Sequence, residues 1–266
     1  MEEQSDIARR LAVRDVGSYS ARNSSKGALI SEAERLLRAI GTDVSINDAR
    51  DQALRGALLS QRSSHNRKRI WTSLQQRYLL PQLPWLTPLL AEKSKLGSHD
   101  PEFTSLLYLL YALRDRLTYD FVTLFLWPKG LHARTLVSRN DVLDLLKSVT
   151  QEQPQIERWS ESTRVKLAGS VLTALRDFGV LEGKQRKFLV QPPFPLSTAE
   201  ALLRFLIAEG CRGRHVLEDH TWRLFLLAEA DVAQMLARLA QAGVIRFEKA
   251  GSTVVLEAPA DWETEP

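Results

Sequence analysis

Apolar residues recur at three- and four-residue spacing along most of this chain, a period that predicts a protein built mainly of helices. Leu29, Ala33, Leu36, Leu37 and Ile40 share one face, predicting a helix over 27–40 that Gly41 closes in the left-handed conformation. Asn47 or Asp48 is the expected cap of the next helix. A short polar break then leads to a helix opening on Ser63, Ser64, His65 and Asn66. Pro81, Pro84 and Pro88 interrupt the chain, but Leu83, Trp85, Leu86, Leu89 and Leu90 mark that region as packed. The stretches 103–117 and 119–127 are densest in apolar and aromatic residues and predict the central helical hairpin of the core. Asp100-Pro101 opens it and Pro128-Lys129-Gly130 is the expected turn after it. Ser138 and Asp141 predict a capped helix through 149. Trp159-Ser160-Glu161-Ser162-Thr163 predicts another, running to Phe178 and stopped by Gly179.

There the period changes. Val180-Leu181-Glu182 and Phe188-Leu189-Val190 are short β-prone runs around Gly183, Lys184, Gln185, Arg186 and Lys187. A helix, a glycine stop and a hairpin with a basic tip resemble the last helix and wing of a winged helix-turn-helix. Pro192, Pro193 and Pro195 mark a boundary. The remainder repeats the device. Ser197 and Glu200 form a capping-box pattern, a second helical segment is expected over 216–228, and a third over 231–242 ends at Gly243. Strands over 244–248 and 253–256 follow, and an acidic tail from Ala258 reads as frayed. Leu175, Phe178 and Gly179 align with Leu239, Ala242 and Gly243; duplication and convergence both account for that. The expected fold is mainly α: a helical core with helix-turn-helix-like elements and two winged-helix-like units carrying short β-hairpins. Its expected divisions are 1–155, 156–194 and 195–266.

Composition narrows the class. Of the 266 residues 44% are hydrophobic and 26% charged, ordinary for a globular chain. The single Cys211 excludes an internal disulfide framework and fits a reducing, cytoplasmic setting. The opening MEEQSDIARR lacks the apolar core of a secretory signal. Arg114, Asp115, Arg116 and Asp120 interrupt the most apolar region, and each charge would cost roughly 2.5–3.5 kcal/mol near a bilayer centre. Buried helices are therefore expected there, with no membrane partner. No phosphate-loop, dinucleotide, metalloprotease or nucleophile-elbow motif is present. His215 and His220 are five apart, so they do not share a helix face. The chain thus reads as a non-enzyme with no catalytic residues, no cofactor and no metal.

Charge supplies the positive signal. The formal net charge is +4, and no acidic residue lies between Asp51 and Glu92. Within that window Arg62, His65, Asn66, Arg67, Lys68 and Arg69 gather at one helix start, where backbone N–H groups and cations together suit phosphate. Arg158, Ser160, Thr163 and Arg164 gather at a second helix start, and Lys184, Arg186 and Lys187 at the wing. Arg212, Arg214 and Arg223 form a looser group. These positions are the candidate contacts to double-stranded DNA; a solvated basic face is the alternative. Asn66 and Gln61 suit adenine and Arg67 suits guanine. Arg67 and Lys68 both read as exposed, so their replacement is expected to leave the fold intact.

Three stretches carry a resemblance. Tyr19-Ser20-Ala21-Arg22 with Gly27-Ala28-Leu29-Ile30 and Glu34, then Gln61 through Ile70, then Arg158 through Leu167 with Leu175 through Leu181, resemble in order and spacing the BrxA family of bacteriophage-exclusion (BREX) defence systems. The resemblance covers about residues 15–190 and leaves 197–266 as an addition. It implies a mainly helical, non-enzymatic DNA-binding accessory. Its implied partners are the other BREX components: an adenine methyltransferase, a phosphatase-like protein and ATPases. A protein–protein adaptor of the same complex and a transcription regulator are the rival readings.

Overall fold

The computed structural model describes residues 14–264 apart from 16, 26, 43, 62, 81–82, 131–134 and 252. The helical period is realised first in α1 (Ile30–Ile40), α2 (Ile46–Arg55), α3 (Ser64–Leu74) and α4 (Leu86–Ser94). α1 begins three residues later than the apolar spacing predicts. The carbonyls of Gly27 and Ala28 accept hydrogen bonds from Arg77 and Tyr78, and Leu29 sits at φ 58°, so these residues are unavailable to a helix. Gly41 does not adopt the expected left-handed conformation; its φ is −68°. What it provides is clearance, since a Cβ there would lie 3.1 Å from that of Ala91 in α4. Ser45, two residues before the expected Asn47, is the cap and receives the N–H of Asp48.

The core is organised on α5 (Pro101–Leu113), capped by Asp100 with Pro101 in its first turn. Every residue from Ser105 to Leu113 is buried, the mark of a helix surrounded on all sides. α6 (Arg116–Asp120) continues without a break into a π-helical segment (Phe121–Leu126) and a last turn (Trp127–Lys129), where a simple turn was expected. α7 (Arg139–Ser148) starts in a capping box of Ser138 and Asp141. α8 (Glu161–Asp177) starts at Ser160 and ends before Gly179 at φ 77°.

Two small antiparallel sheets complete the architecture. β2 (Leu181–Glu182) and β3 (Lys187–Leu189) form the expected hairpin, with Leu181 opposite Leu189. β1 (Leu136–Val137), which the sequence does not announce, adds to the other side of β3, giving the order β1-β3-β2. Gly183, at φ 95°, is obligatory in the hairpin because a Cβ would meet the Arg186 carbonyl at 2.1 Å.

The C-terminal part contains α9 (Leu196–Ala208), α10 (Arg214–Glu218), a 3₁₀ turn (His220–Phe225) and α11 (Glu229–Gln241). The hairpin β4 (Arg246–Ala250) and β5 (Thr253–Glu257) and α12 (Asp261–Thr264) follow. Three expectations change here. α9 starts at Leu196, before the predicted capping box, and Ser197 reaches Glu102 of α5 instead. The single helix expected over 216–228 is split into α10 and the 3₁₀ turn. The tail is anchored, since Trp262 is buried and lies beneath the Arg204 guanidinium.

Candidate nucleic-acid interface

α3 and the π-helical segment that continues it (Gln75–Leu79) present a polar stripe. His65, Lys68, Arg69, Thr72, Ser73 and Gln76, successive neighbours on one helical face, line an open groove together with Arg22. Its volume is about 460 Å³. Ser63 fixes the start of the helix by accepting the N–H of Asn66 at 3.1 Å. The absence of any acidic side chain in the first turn leaves the positive end of the helix uncompensated. His65, Lys68 and Arg69 are exposed and Asn66 half-buried; Arg62 lies outside the described residues.

Arg67 corrects the sequence reading. Its Nε donates to the Leu54 carbonyl at 2.8 Å and one terminal nitrogen to the Gln61 carbonyl at 2.7 Å. It therefore holds the α2–α3 connection rather than facing solvent, and an Arg67 replacement is not neutral to the fold. Gln61 likewise turns to Glu32. Neither is placed to read a base edge.

Beside this stripe runs a strap, described over residues 17–25 and 27–28, containing a 3₁₀ turn (Ala21–Ser25). It is pinned at both ends and in the middle. The Tyr19 N–H donates to Gln153 and its hydroxyl to Asp120 at 2.8 Å. Asn23 accepts from the buried Arg77 at 2.6 Å, and Arg77 and Tyr78 close on the carbonyls of Gly27 and Ala28. Burial and the neighbouring Asp120 carboxylate push the Tyr19 hydroxyl well above the usual tyrosine range. The strap therefore lies along α8: Tyr19 meets the segment before it, while Gly27 meets Thr173 and Asp177 near its end. Arg22 is the residue that the strap contributes to the α3 groove.

At the start of α8, Ser160, Ser162 and Thr163 form a hydroxyl cluster, with Ser160 accepting the Thr163 N–H at 3.2 Å. Arg158 and Ser160 are exposed; Thr163 and Arg164 are half-buried. On the hairpin Lys184 and Arg186 are exposed, and Lys187 donates back to the Lys184 carbonyl at 2.7 Å. Sequence reasoning missed Arg22, Thr72, Ser73 and Gln76. The last three were legible as a continuation of the 65, 68, 69 stripe at helical spacing. Arg22 carried no such signal, because only the strap's path brings it to α3.

The third basic group is taken up by the fold. Arg212 donates to the carbonyls of Ile207 and Cys211, Arg214 pairs with Glu218, and Arg223 stacks over Trp127. On the second hairpin Arg246 pairs with Glu248 and Glu257, and Lys249 with Glu229.

With this geometry in view, a comparison with protein families matches residues 17–206 to BrxA. The chain belongs to the BrxA family. Membership makes it a protein of BREX phage defence, and the matched span takes in the strap, α3, α8 and the first hairpin. No curated protein matches this BrxA chain. Among solved structures it is similar to an uncharacterized protein from Magnetospirillum magneticum. That similarity has 18% identity and a TM-score of 0.60, over 79% of this chain and 100% of that one. At that identity the likeness speaks for the fold alone. No helix among the described residues is long and apolar enough to cross a membrane.

Proposed function

We propose that this BrxA protein binds duplex DNA as a non-enzymatic accessory of its BREX system, with α3 and the α8–hairpin unit as its contact surfaces. The α3 groove carries the reading. Its lining is hydrogen-bonding and contains no carboxylate, with Lys68 and Arg69 as exposed cations while Arg22 pairs with Asp15, and it flanks a helix start whose N–H groups favour anions. The β1–α7–α8–β2–β3 succession, with β1 closing the sheet against β3, follows the order of a winged helix, which adds a second support. The other BREX components are the expected protein partners.

The charge distribution favours a division of labour. Residues 1–194 contain 29 basic and 21 acidic side chains, residues 195–266 only 7 basic and 11 acidic. With the second hairpin's cations already paired, the C-terminal part suits protein contact and the rest suits DNA.

Titration against a mixed-sequence duplex of roughly 30 base pairs tests this. The logarithm of affinity is expected to fall linearly with that of salt, with a slope reporting the phosphates engaged. Lys68→Glu with Arg69→Glu is expected to weaken binding at least tenfold while shifting stability by no more than about 0.5 kcal/mol. Undiminished affinity in that variant removes α3 from the interface. No binding by the native protein at low salt leaves the adaptor reading, and binding confined to one promoter points to a regulator.

A further inference from the structure

A second cleft, of about 270 Å³, lies between the start of α7, the middle of α8 and the first hairpin. Arg139, Arg186 and Lys187 surround it, and no carboxylate lines it. None of these three forms an ion pair with a described residue. Arg186 is steadied above the Phe188 ring at 5.7 Å. Lys187 turns its ammonium to the Lys184 carbonyl, so Arg139 and Arg186 are the cations left beside a cleft without a carboxylate, and an anion entering it would be attracted.

The floor of the cleft is Gly169. A glycine in mid-helix is unfavourable relative to alanine, and packing does not require this one. A Cβ would meet a single atom within 4 Å, the Arg139 Nε at 3.8 Å, an ordinary contact. The missing side chain instead leaves the cleft open beneath Arg139. Thr173, one turn further, also lines the cleft and turns its hydroxyl to the Gly169 carbonyl at 2.8 Å.

We propose that this cleft seats a backbone phosphate of duplex DNA, with Arg139 as its principal contact and Gly169 as the residue that makes room. The inference rests on the DNA-binding reading and extends it to a residue outside every basic run in the sequence. Arg139 stands at the start of α7 and the hairpin cations at the far end of α8. The cleft therefore joins parts of the chain that are distant in sequence into one phosphate contact.

The experiment is the salt-dependent duplex titration applied to Arg139→Gln, Gly169→Gln and the native protein. Arg139→Gln is expected to weaken binding about five- to tenfold and to lower the salt slope by about one. Gly169→Gln fills the cleft and is expected to weaken binding similarly with an unchanged thermal midpoint. Should that variant fold poorly, Arg139→Gln alone decides. Native affinity and slope in Arg139→Gln overturn the proposal and leave the DNA reading standing, whereas no binding by the native protein overturns both. Pyrophosphate binding that requires Arg139, together with native DNA affinity in Arg139→Gln, assigns the cleft to a free phosphate compound and overturns the DNA assignment.

Discussion

Two arginines ten residues apart show how little a residue type says about its role. Arg67 sits within the most basic run of the chain, yet its guanidinium is consumed by the carbonyls of Leu54 and Gln61. Arg77 is buried at 4% exposure beneath the strap, with its guanidinium 4.8 Å from the Tyr111 ring centre. It donates to Asn23 and to the Gly27 carbonyl. Its replacement leaves those acceptors buried without a donor, a larger penalty than the loss of any surface ion pair. Arg77→Met is expected to cost about 1–3 kcal/mol, read from denaturant unfolding as a lowered midpoint. A cost under about 1 kcal/mol would show that the strap holds without it. Lys68, one position beyond Arg67, is exposed and is assigned to the proposed interface, not the scaffold. The sequence does not separate these three cases because a helical wheel fixes where Cα–Cβ bonds point, not how a long side chain bends from the first turn.

At the scale of elements, α7 depends on a local electrostatic arrangement. Asp141 accepts from the Ser138 N–H and hydroxyl, both at 2.7 Å, and from Lys129 at 2.6 Å. Burial alone would raise its carboxyl, but the hydrogen bonds from Lys129 and Ser138 outweigh it and hold the pKa below the usual range. With the folded value below the unfolded one of about 3.9, the contribution is complete above that pH and is lost as pH falls through the folded pKa. Asp141→Asn is expected to be less stable near neutrality by about 1 kcal/mol. Its acid-side stability profile below about pH 4 should also be shallower than that of the native protein. Parallel profiles would exclude Asp141 from the acid response. Caps of this kind made the elements legible: Ser63, Asp100, Ser138 and Ser160 all stand where side-chain chemistry placed them. What stayed hidden depends on distant partners. β1 is two residues long and exists through pairing with β3, some fifty positions away. The strap keeps 27–29 out of α1 through Arg77 and Tyr78. The basic stripe of α3 was readable from spacing, but Arg22 and Arg139 join their grooves only through the tertiary path of the chain.

Across the whole molecule, the prolines at 192, 193 and 195 suggest a boundary that packing does not respect. Tyr108, in the centre of α5, packs at a tilt against Phe178 at 5.5 Å and edge-on against Phe225 at 5.3 Å, and its hydroxyl donates to the Leu224 carbonyl at 2.9 Å. Phe194, within the proline segment, lies 4.3 Å from Phe225. Ser105 shares a hydrogen bond with Thr198, and the Trp127 indole donates to the Leu227 carbonyl. Both sides of the boundary thus bury their largest side chains in one core, where each fully buried large apolar residue contributes about 1.5–3 kcal/mol. Separation would return these aromatics to water and strip partners from buried hydroxyls, so neither side gains by unfolding alone. The native protein is therefore expected to melt in a single calorimetric transition, with equal van't Hoff and calorimetric enthalpies. Two resolved transitions would show that the C-terminal part is an independent body. Such a common core has a functional consequence: α9, α11 and the paired second hairpin are held at a fixed angle to the cationic face. If the proposed interface holds DNA, a partner seated on the acidic C-terminal side would be carried rigidly with it, without a flexible tether between them.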